Sequence, residues 1–195
     1  SLSIDAPLVG NISNTAGQID IKVKEALVFN SQSDQAGEDS YAENTGILTV
    51  DADRIHIGPG NLKLSGYDTV GLNSNHNLTF YGEGSFDTGN ADLAVSAALV
   101  TGSYRLFQDE GDTDYTYEAL DFSINAGTGS ISLGRSAGTA ETTGNIGGRL
   151  IFEANRIENS GTVELNSGII AFISNGSEPE SGVYMGEESI VSAQG

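Results

Sequence analysis

At 195 residues the chain is long enough to bury a core as one domain or to stack as a repeat array. Its 27 acidic against 8 basic residues give a net charge of −19, which repels phosphate backbones and anionic lipid and so excludes nucleic acid and the membrane surface as partners. Cysteine is absent, excluding disulfides and thiol chemistry, and no apolar run approaches the ~20 residues a membrane helix needs, so membrane insertion is not expected.

Only 18% of the residues are charged, glycine numbers 26 and proline 3. That is the profile of short strands and turns rather than of helices rich in Leu, Glu, Lys and Arg, and an all-β fold is expected. The chain opens mid-pattern at Ser1-Leu2-Ser3-Ile4, as a segment excised from a longer repeat protein would. Strand-like bursts then follow at 2–6, leading to Val9-Gly10, and at 19–23, leading to Phe29. Next come the long stretch 46–66 and shorter bursts at 70–72, 77–80 and 92–97. After a polar interval there are 120–124, 130–133, a second long stretch at 148–168, then 170–173 and 189–191. No segment holds helical spacing.

The two long stretches, GILTVDADRIHIGPGNLKLSG and GRLIFEANRIENSGTVELNSG, are related. Gly46, Leu48, Ala52, Arg54, Ile55, Leu64 and Gly66 return as Gly148, Leu150, Ala154, Arg156, Ile157, Leu165 and Gly168. Weaker echoes pair 2–10 with 93–102 and 19–23 with 120–124. The chain therefore reads as a single segment, 1–195, made of two related halves, 1–90 and 91–195. They differ chiefly by insertions at 32–44, 103–118 and 136–146.

Within the first stretch Leu48, Val50 and Ala52 alternate with Thr49, Asp51 and Asp53, the period of a strand with one buried face. The phase then slips to Ile55 and Ile57. A strand keeps its apolar residues on one axis through such a slip only by bending, so Ala-Asp-Arg-Ile marks a corner. Leu150, Phe152, Ala154 and Ile157 repeat the slip. Inward ladders, irregular rung lengths and outward insertions suit a right-handed parallel β-helix; rungs of roughly 20 residues give about nine coils and a rod on the order of 45 Å. A β-sandwich would need tight hairpins, yet Asn175-Gly176 is the only Asn-Gly and no Asp-Gly occurs. The open ends of such a rod are expected to meet neighbouring coils of the same parent chain.

The order LTVDADRIHIG at 48–58, LSGYDTVGLN at 64–73, LTFYGEGSF at 78–86 and LAVSAALVTG at 93–102 resembles the internal repeat region of large filamentous-haemagglutinin-like exoproteins. These are the two-partner-secreted adhesins and contact-dependent inhibition stalks of Gram-negative bacteria. The resemblance covers 46–102 best and 119–175 more weakly, and it rests on apolar frames. It implies a β-helical shaft without the family's secretion domain, whose Asn-Pro-Asn-Gly type motifs have no counterpart here, and without a toxin domain.

Candidate chemistry is sparse. Asp51 and Asp53, with Arg54 and His56 beside them, form the best cluster for a polysaccharide lyase or hydrolase on a β-helix, their Cα atoms ~7 Å apart on a strand. The second copy carries Glu153, Asn155, Arg156 and Glu158 instead, so solvated outward positions are the simpler account. Asp109, Glu110, Asp112 and Asp114 offer hard oxygen ligands, making Ca²⁺ the one cofactor considered, although the loop lacks the full EF-hand pattern. Tyr104, Tyr115 and Tyr117 flank it with amphipathic rings, and this loop is the first candidate for a ligand or cation contact. His56 and His76 lie in different rungs and make no zinc site. Arg54 and Arg156 are structural candidates, donors to carbonyls freed at the corners. Sequons begin at Asn11, Asn77 and Asn175, as chance allows in so Asn-rich a chain.

The expected function is a non-enzymatic, extracellular shaft segment of a large bacterial surface adhesin, a stiff spacer for adhesion or display. Host or bacterial surface glycans or receptors would be met by its loops or by other parts of the parent chain. The alternatives are a carbohydrate-binding module using loop 103–118 and a polysaccharide-degrading enzyme centred on Asp51, Asp53 and Arg54.

Overall fold

A computed structural model describes residues 1–11, 16–31, 44–107, 114–142 and 147–193. Among these residues every regular element is a strand. The chain begins with β1 (Leu2–Asp5), β2 (Leu8–Gly10), β3 (Gln18–Asn30) and β4 (Gly46–Ile57). It continues through β5 (Gly60–Ser65), β6 (Tyr67–Ser74), β7 (Asn77–Tyr81), β8 (Glu83–Asp87), β9 (Asp92–Ala97) and β10 (Leu99–Ser103). After β11 (Arg105–Phe107) and β12 (Thr116–Glu118) come β13 (Asp121–Asn125), β14 (Ser130–Arg135), β15 (Arg149–Ala154) and β16 (Arg156–Asn159). The last are β17 (Thr162–Glu164), β18 (Ile169–Ser174), β19 (Gly182–Met185) and β20 (Ile190–Ser192).

These strands wind as a parallel β-solenoid with three faces. The first face stacks the starts of β3 and β4, then β6, β9, β14, β16 and β19. The second stacks β1, the ends of β3 and β4, then β7, β10, β17 and β20. The third stacks β2, β5, β8, β13, β15 and β18. All of these pairings are parallel, and on the first face successive strands come from successive turns of the chain.

The corner read from the phase slip lies inside β4. Leu48, Val50, Ala52, Ile55 and Ile57 are buried while Asp53 and Arg54 both point outward, so one strand bends from the first face to the second without leaving its ladder. β3 makes the same corner with a register shift between Val23 and Ala26. Other corners use turns: Gly66 (φ +78°) joins β5 to β6, and a Cβ there would come within 2.5 Å of the Asn11 carbonyl oxygen.

Inward side chains form continuous columns. Leu48, Val70, Leu93, Ile131 and Ile157 line the first face, and Leu27, Ile55, Leu78, Val100 and Val163 the second. Leu62, Phe86, Ile124, Phe152 and Phe172 line the third, with the Phe152 and Phe172 rings stacked 5.1 Å apart. Full burial of each such side chain contributes about 1.5–3 kcal/mol, supplied through the middle of the rod, while Phe172 near its end is only partly buried.

The solenoid has about six turns, not the nine expected. The expectation took each rung as roughly 20 residues, whereas a turn carries three strands plus whatever leaves it. Stacked partners are 22 residues apart where the turn is tight (Asp51 and Asn73) and 38 apart where it is interrupted (Asp92 and Ser130). At a strand spacing of ~4.8 Å, six steps give a length of roughly 29 Å.

The three insertions leave at defined points. Among the described residues the turn containing β3 contributes no third-face strand, and β2 pairs directly with β5. Among the described residues the turn containing β14 contributes no second-face strand, and β10 pairs directly with β17. Between β10 and β13 the chain makes an arm, β11 and β12, the one antiparallel pair among the described strands.

The sequence echoes fall on different faces. Leu48 is on the first face and Leu150 on the third; Ile21 is on the first and Phe122 on the third. Ile4 is on the second and Val95 on the first. The related stretches are thus strand-corner-strand units displaced by one face, and both Leu48 and Leu150 still point at the axis.

Candidate functional site

The bend in β4 decides what faces outward on the second face. Once Asp53 and Arg54 have both turned outside, parity puts His56 outside as well, and β7 adds Thr79 and Tyr81 beside it. β10 brings Ser103 next to Tyr81. On an uncovered sheet these positions would be in water. Yet Asn77 is 3% exposed, Thr79 2% and Thr101 1%.

The cover is residues 136–142, the start of the insertion that leaves after β14. This strap runs back over earlier turns. Ser136 donates from its amide to the Ala97 carbonyl (3.1 Å), and its hydroxyl donates to the Asn75 carbonyl (3.3 Å). His76 donates from Nδ1 to the Thr139 carbonyl at 2.7 Å. Asn77 makes a reciprocal pair with the Glu141 backbone: its Nδ2 donates to the Glu141 carbonyl (2.8 Å), and the Glu141 amide donates to its Oδ1 (2.9 Å). Arg54 closes the set by donating from Nε to Glu141 Oε2 at 2.6 Å and from Nη2 to Oε1. The bidentate pair holds the Glu141 carboxyl below the usual carboxylate range and raises the Arg54 guanidinium.

Between the strap and the root of the arm lies a cleft of about 270 Å³, lined by Arg54, His56, Thr79, Tyr81, Ser103 and Glu141 among others. His56 Nδ1 and the Tyr81 hydroxyl are 3.0 Å apart, with ring centroids 5.4 Å apart. Burial, then the Arg54 charge, pushes the His56 pKa below its ordinary value, against a smaller opposite pull from Glu141. Burial raises the Tyr81 phenol, with a hydrogen bond from Thr79 pulling the other way. At neutral pH the cleft therefore holds an uncharged imidazole, an uncharged phenol and one internally matched ion pair.

The sites read from the sequence fall elsewhere. Asp109, Glu110 and Asp112 lie outside the described residues. Tyr104 and Tyr117 come together on the arm, centroids 4.8 Å apart, while Tyr115 is 70% exposed and Asp114 is exposed beside it. The arm's register sets Leu106 opposite Tyr117 and Arg105 opposite Glu118, so tyrosines and leucine occupy one side and the charged pair the other. Arg105 lies 3.8 Å from Glu118 in a second cleft of about 430 Å³, shared with Pro59, Gly60 and Glu83. Among the described residues no three His, Asp or Glu side chains converge where a metal ion would sit.

Asp51 and Asp53 join a polar ladder along the outer first face, accepting from Asn73 and Asn75 at 2.8 Å each, with Lys22 3.8 Å from Asp51. The corner separates them from Arg54 and His56, which serve the second face. Arg54 gives its guanidinium to the strap carboxylate. Arg156 donates from Nη1 to the Glu180 carbonyl (2.8 Å), pairs with Glu158 and lies 4.0 Å over the Tyr184 ring. The sequon at Asn77 is closed by the strap, whereas Asn175 is exposed.

Glu141 had no signal in the sequence: it stands alone in a run of Gly, Ala and Thr with no periodicity. Tyr81 had one, since it continues the outward parity of Asn77 and Thr79. Compared with protein-family models, with curated proteins and with solved structures, the chain has no significant match.

Proposed function

We propose that this chain is a shaft segment of a large secreted bacterial surface protein of the filamentous-haemagglutinin-like kind, acting outside the cell as a stiff spacer for adhesion or display. The observation that supports this reading is the inward columns, which continue across the turns where the chain carries insertions. Length can then be added or loops varied without disturbing the axis. The absence of cysteine suits export as an unfolded chain. On this reading the segment performs no catalysis, and its ends meet neighbouring coils of the parent chain.

The test is export. Fused behind a two-partner secretion domain and co-expressed with its outer-membrane pore, the segment should reach the medium and resist protease there. Accumulation in the periplasm would count against the reading.

A second reading, contact with host or bacterial glycans through the arm, draws on one observation: Tyr104 and Tyr117 pack together beside exposed Leu106 and Tyr115. Tyrosine faces with polar edges suit sugar rings. A glycan array with wild type and Tyr115→Ala/Tyr117→Ala decides it: signal lost in the variant supports it, and no signal in either removes it.

A further inference from the structure

We propose that the cleft on the second face, between the strap and the root of the arm, is a binding site for one uncharged sugar ring. The inference concerns a different surface from the tyrosine arm and does not depend on the shaft reading.

Three observations carry it. The first is that the cleft is built by long-range contacts: β4, β7, β10 and the strap all contribute to it, and Arg54, Asn77 and His76 fix the strap through five hydrogen bonds. Its walls are therefore positioned before any ligand arrives, which lowers the entropic cost of binding.

The second is the chemistry of the walls. The His56 and Tyr81 rings, centroids 5.4 Å apart and tilted 34° to each other, line the cleft together and bring ring faces and polar edges to it. Ser103 and Thr142 hydroxyls border it. His56 engages Tyr81 through Nδ1, and its Nε2 has no partner among the described residues. Arg54 spends Nε and Nη2 on Glu141 and retains further donors. An aromatic wall ringed by donors and acceptors matches a pyranose, whose ring faces are apolar and whose rim is hydroxyl.

The third is charge and size. Arg54 is matched by Glu141 and the chain as a whole carries a net charge of −19, so a uronate or phosphate finds no free countercharge in the cleft and meets an overall repulsive field. The volume of about 270 Å³ falls just under the ~300 Å³ at which drug-sized pockets begin. That is room for one ring rather than a chain.

The experiment is saturation-transfer NMR on the full chain with glucose, galactose, mannose and N-acetylglucosamine, against glucuronate. At least one neutral sugar should bind with a dissociation constant on the order of 1 mM, and glucuronate should bind at least about tenfold more weakly. Tyr81→Ala and His56→Ala should each weaken binding about tenfold or more. Because a large-to-small change could loosen the sheet, Ser103→Leu, which fills the cleft from its rim, should also abolish binding while leaving the circular dichroism unchanged. Tyr117→Ala, on the arm, should leave the affinity as it is. No transfer to any neutral sugar, stronger binding of glucuronate, or binding retained in Ser103→Leu would each overturn the proposal. Loss in Tyr117→Ala alone would assign the sugar to the arm and also overturn it.

Discussion

Arg54 and Glu141 stand 87 residues apart in the chain and meet in a bidentate ion pair on the outside of the solenoid. The pair joins the corner of one turn to an insertion that leaves three turns later, so a segment that could have hung free becomes a second layer over the second face. Its other anchors are hydrogen bonds from Ser136, His76 and Asn77. The strap is thus held by polar bonds, while the rod beneath it is held by apolar columns. The two should respond differently to perturbation.

Removing the carboxylate should loosen the strap without touching the rod. In Glu141→Ala, amide hydrogen exchange across 136–142 should rise about tenfold, while the melting temperature moves by no more than about 2 °C. Exchange mass spectrometry on the two proteins checks this. Equal protection would mean that the ion pair does not hold the segment.

Gly138 offers an independent handle. A Cβ there would fall 1.5 Å from the Asn75 carbonyl oxygen, which belongs to a rung and has little freedom to move. Gly138→Ala should therefore lift the strap and expose Asn77. Expressed in a glycosylating host, wild type should leave Asn77 unmodified and the variant should become modified there, read by intact-mass analysis.

The rod should be sensitive at inward positions and indifferent at the next residue. Phe152 is buried between Ile124 and Phe172, whereas Glu153 points away from the axis. Phe152→Ala should cost about 3–5 kcal/mol in urea unfolding. Glu153→Ala should stay within about 0.5 kcal/mol.

Acid should weaken the structure in a window set by His56. Its folded pKa lies below the ordinary 6.5, so as pH falls the unfolded chain takes up the proton first. Stability contributed by the neutral ring is full above about 6.5 and declines as pH drops toward the folded value. Glu141, held below the ordinary 4.5, adds its contribution above that value and loses it as pH falls through its own folded pKa. Arg54, facing His56 from the same strand, makes protonation harder, and Glu141 opposes it from the strap. Melting temperature against pH should show wild type falling relative to His56→Gln below about pH 6.5. Parallel curves would contradict this.

Much of the rod was legible because its determinants are local. The alternation of Leu48, Val50 and Ala52 and the slip to Ile55 specify a strand and a corner within ten residues, and both appear in β4. The number of turns was not legible, because an insertion is indistinguishable from a rung until the pairing partner is known: nothing near Ser136 announces that β10 will skip to β17. The echo of 46–66 in 148–168 repeats a local unit, and local units carry no label for the face they occupy. The cleft was hidden for the same reason. His56 and Tyr81 were visible as outward residues, but what covers them is decided by Glu141, whose partner is fixed only when the third dimension closes.

The winding itself is tested most directly along one outward column. Asp20, Thr49, Gly71, Ala94, Ser132, Glu158 and Tyr184 stand side by side on successive strands of the first face. The chain has no cysteine, so spin labels can be placed cleanly at pairs of these positions. Electron-resonance distances for Thr49 with Glu158, Thr49 with Tyr184 and Asp20 with Tyr184 should centre near Cα separations of about 19, 24 and 29 Å, one ~4.8 Å step for each added turn. Separations that fail to grow with the number of turns between the labels would contradict the solenoid and everything placed upon it.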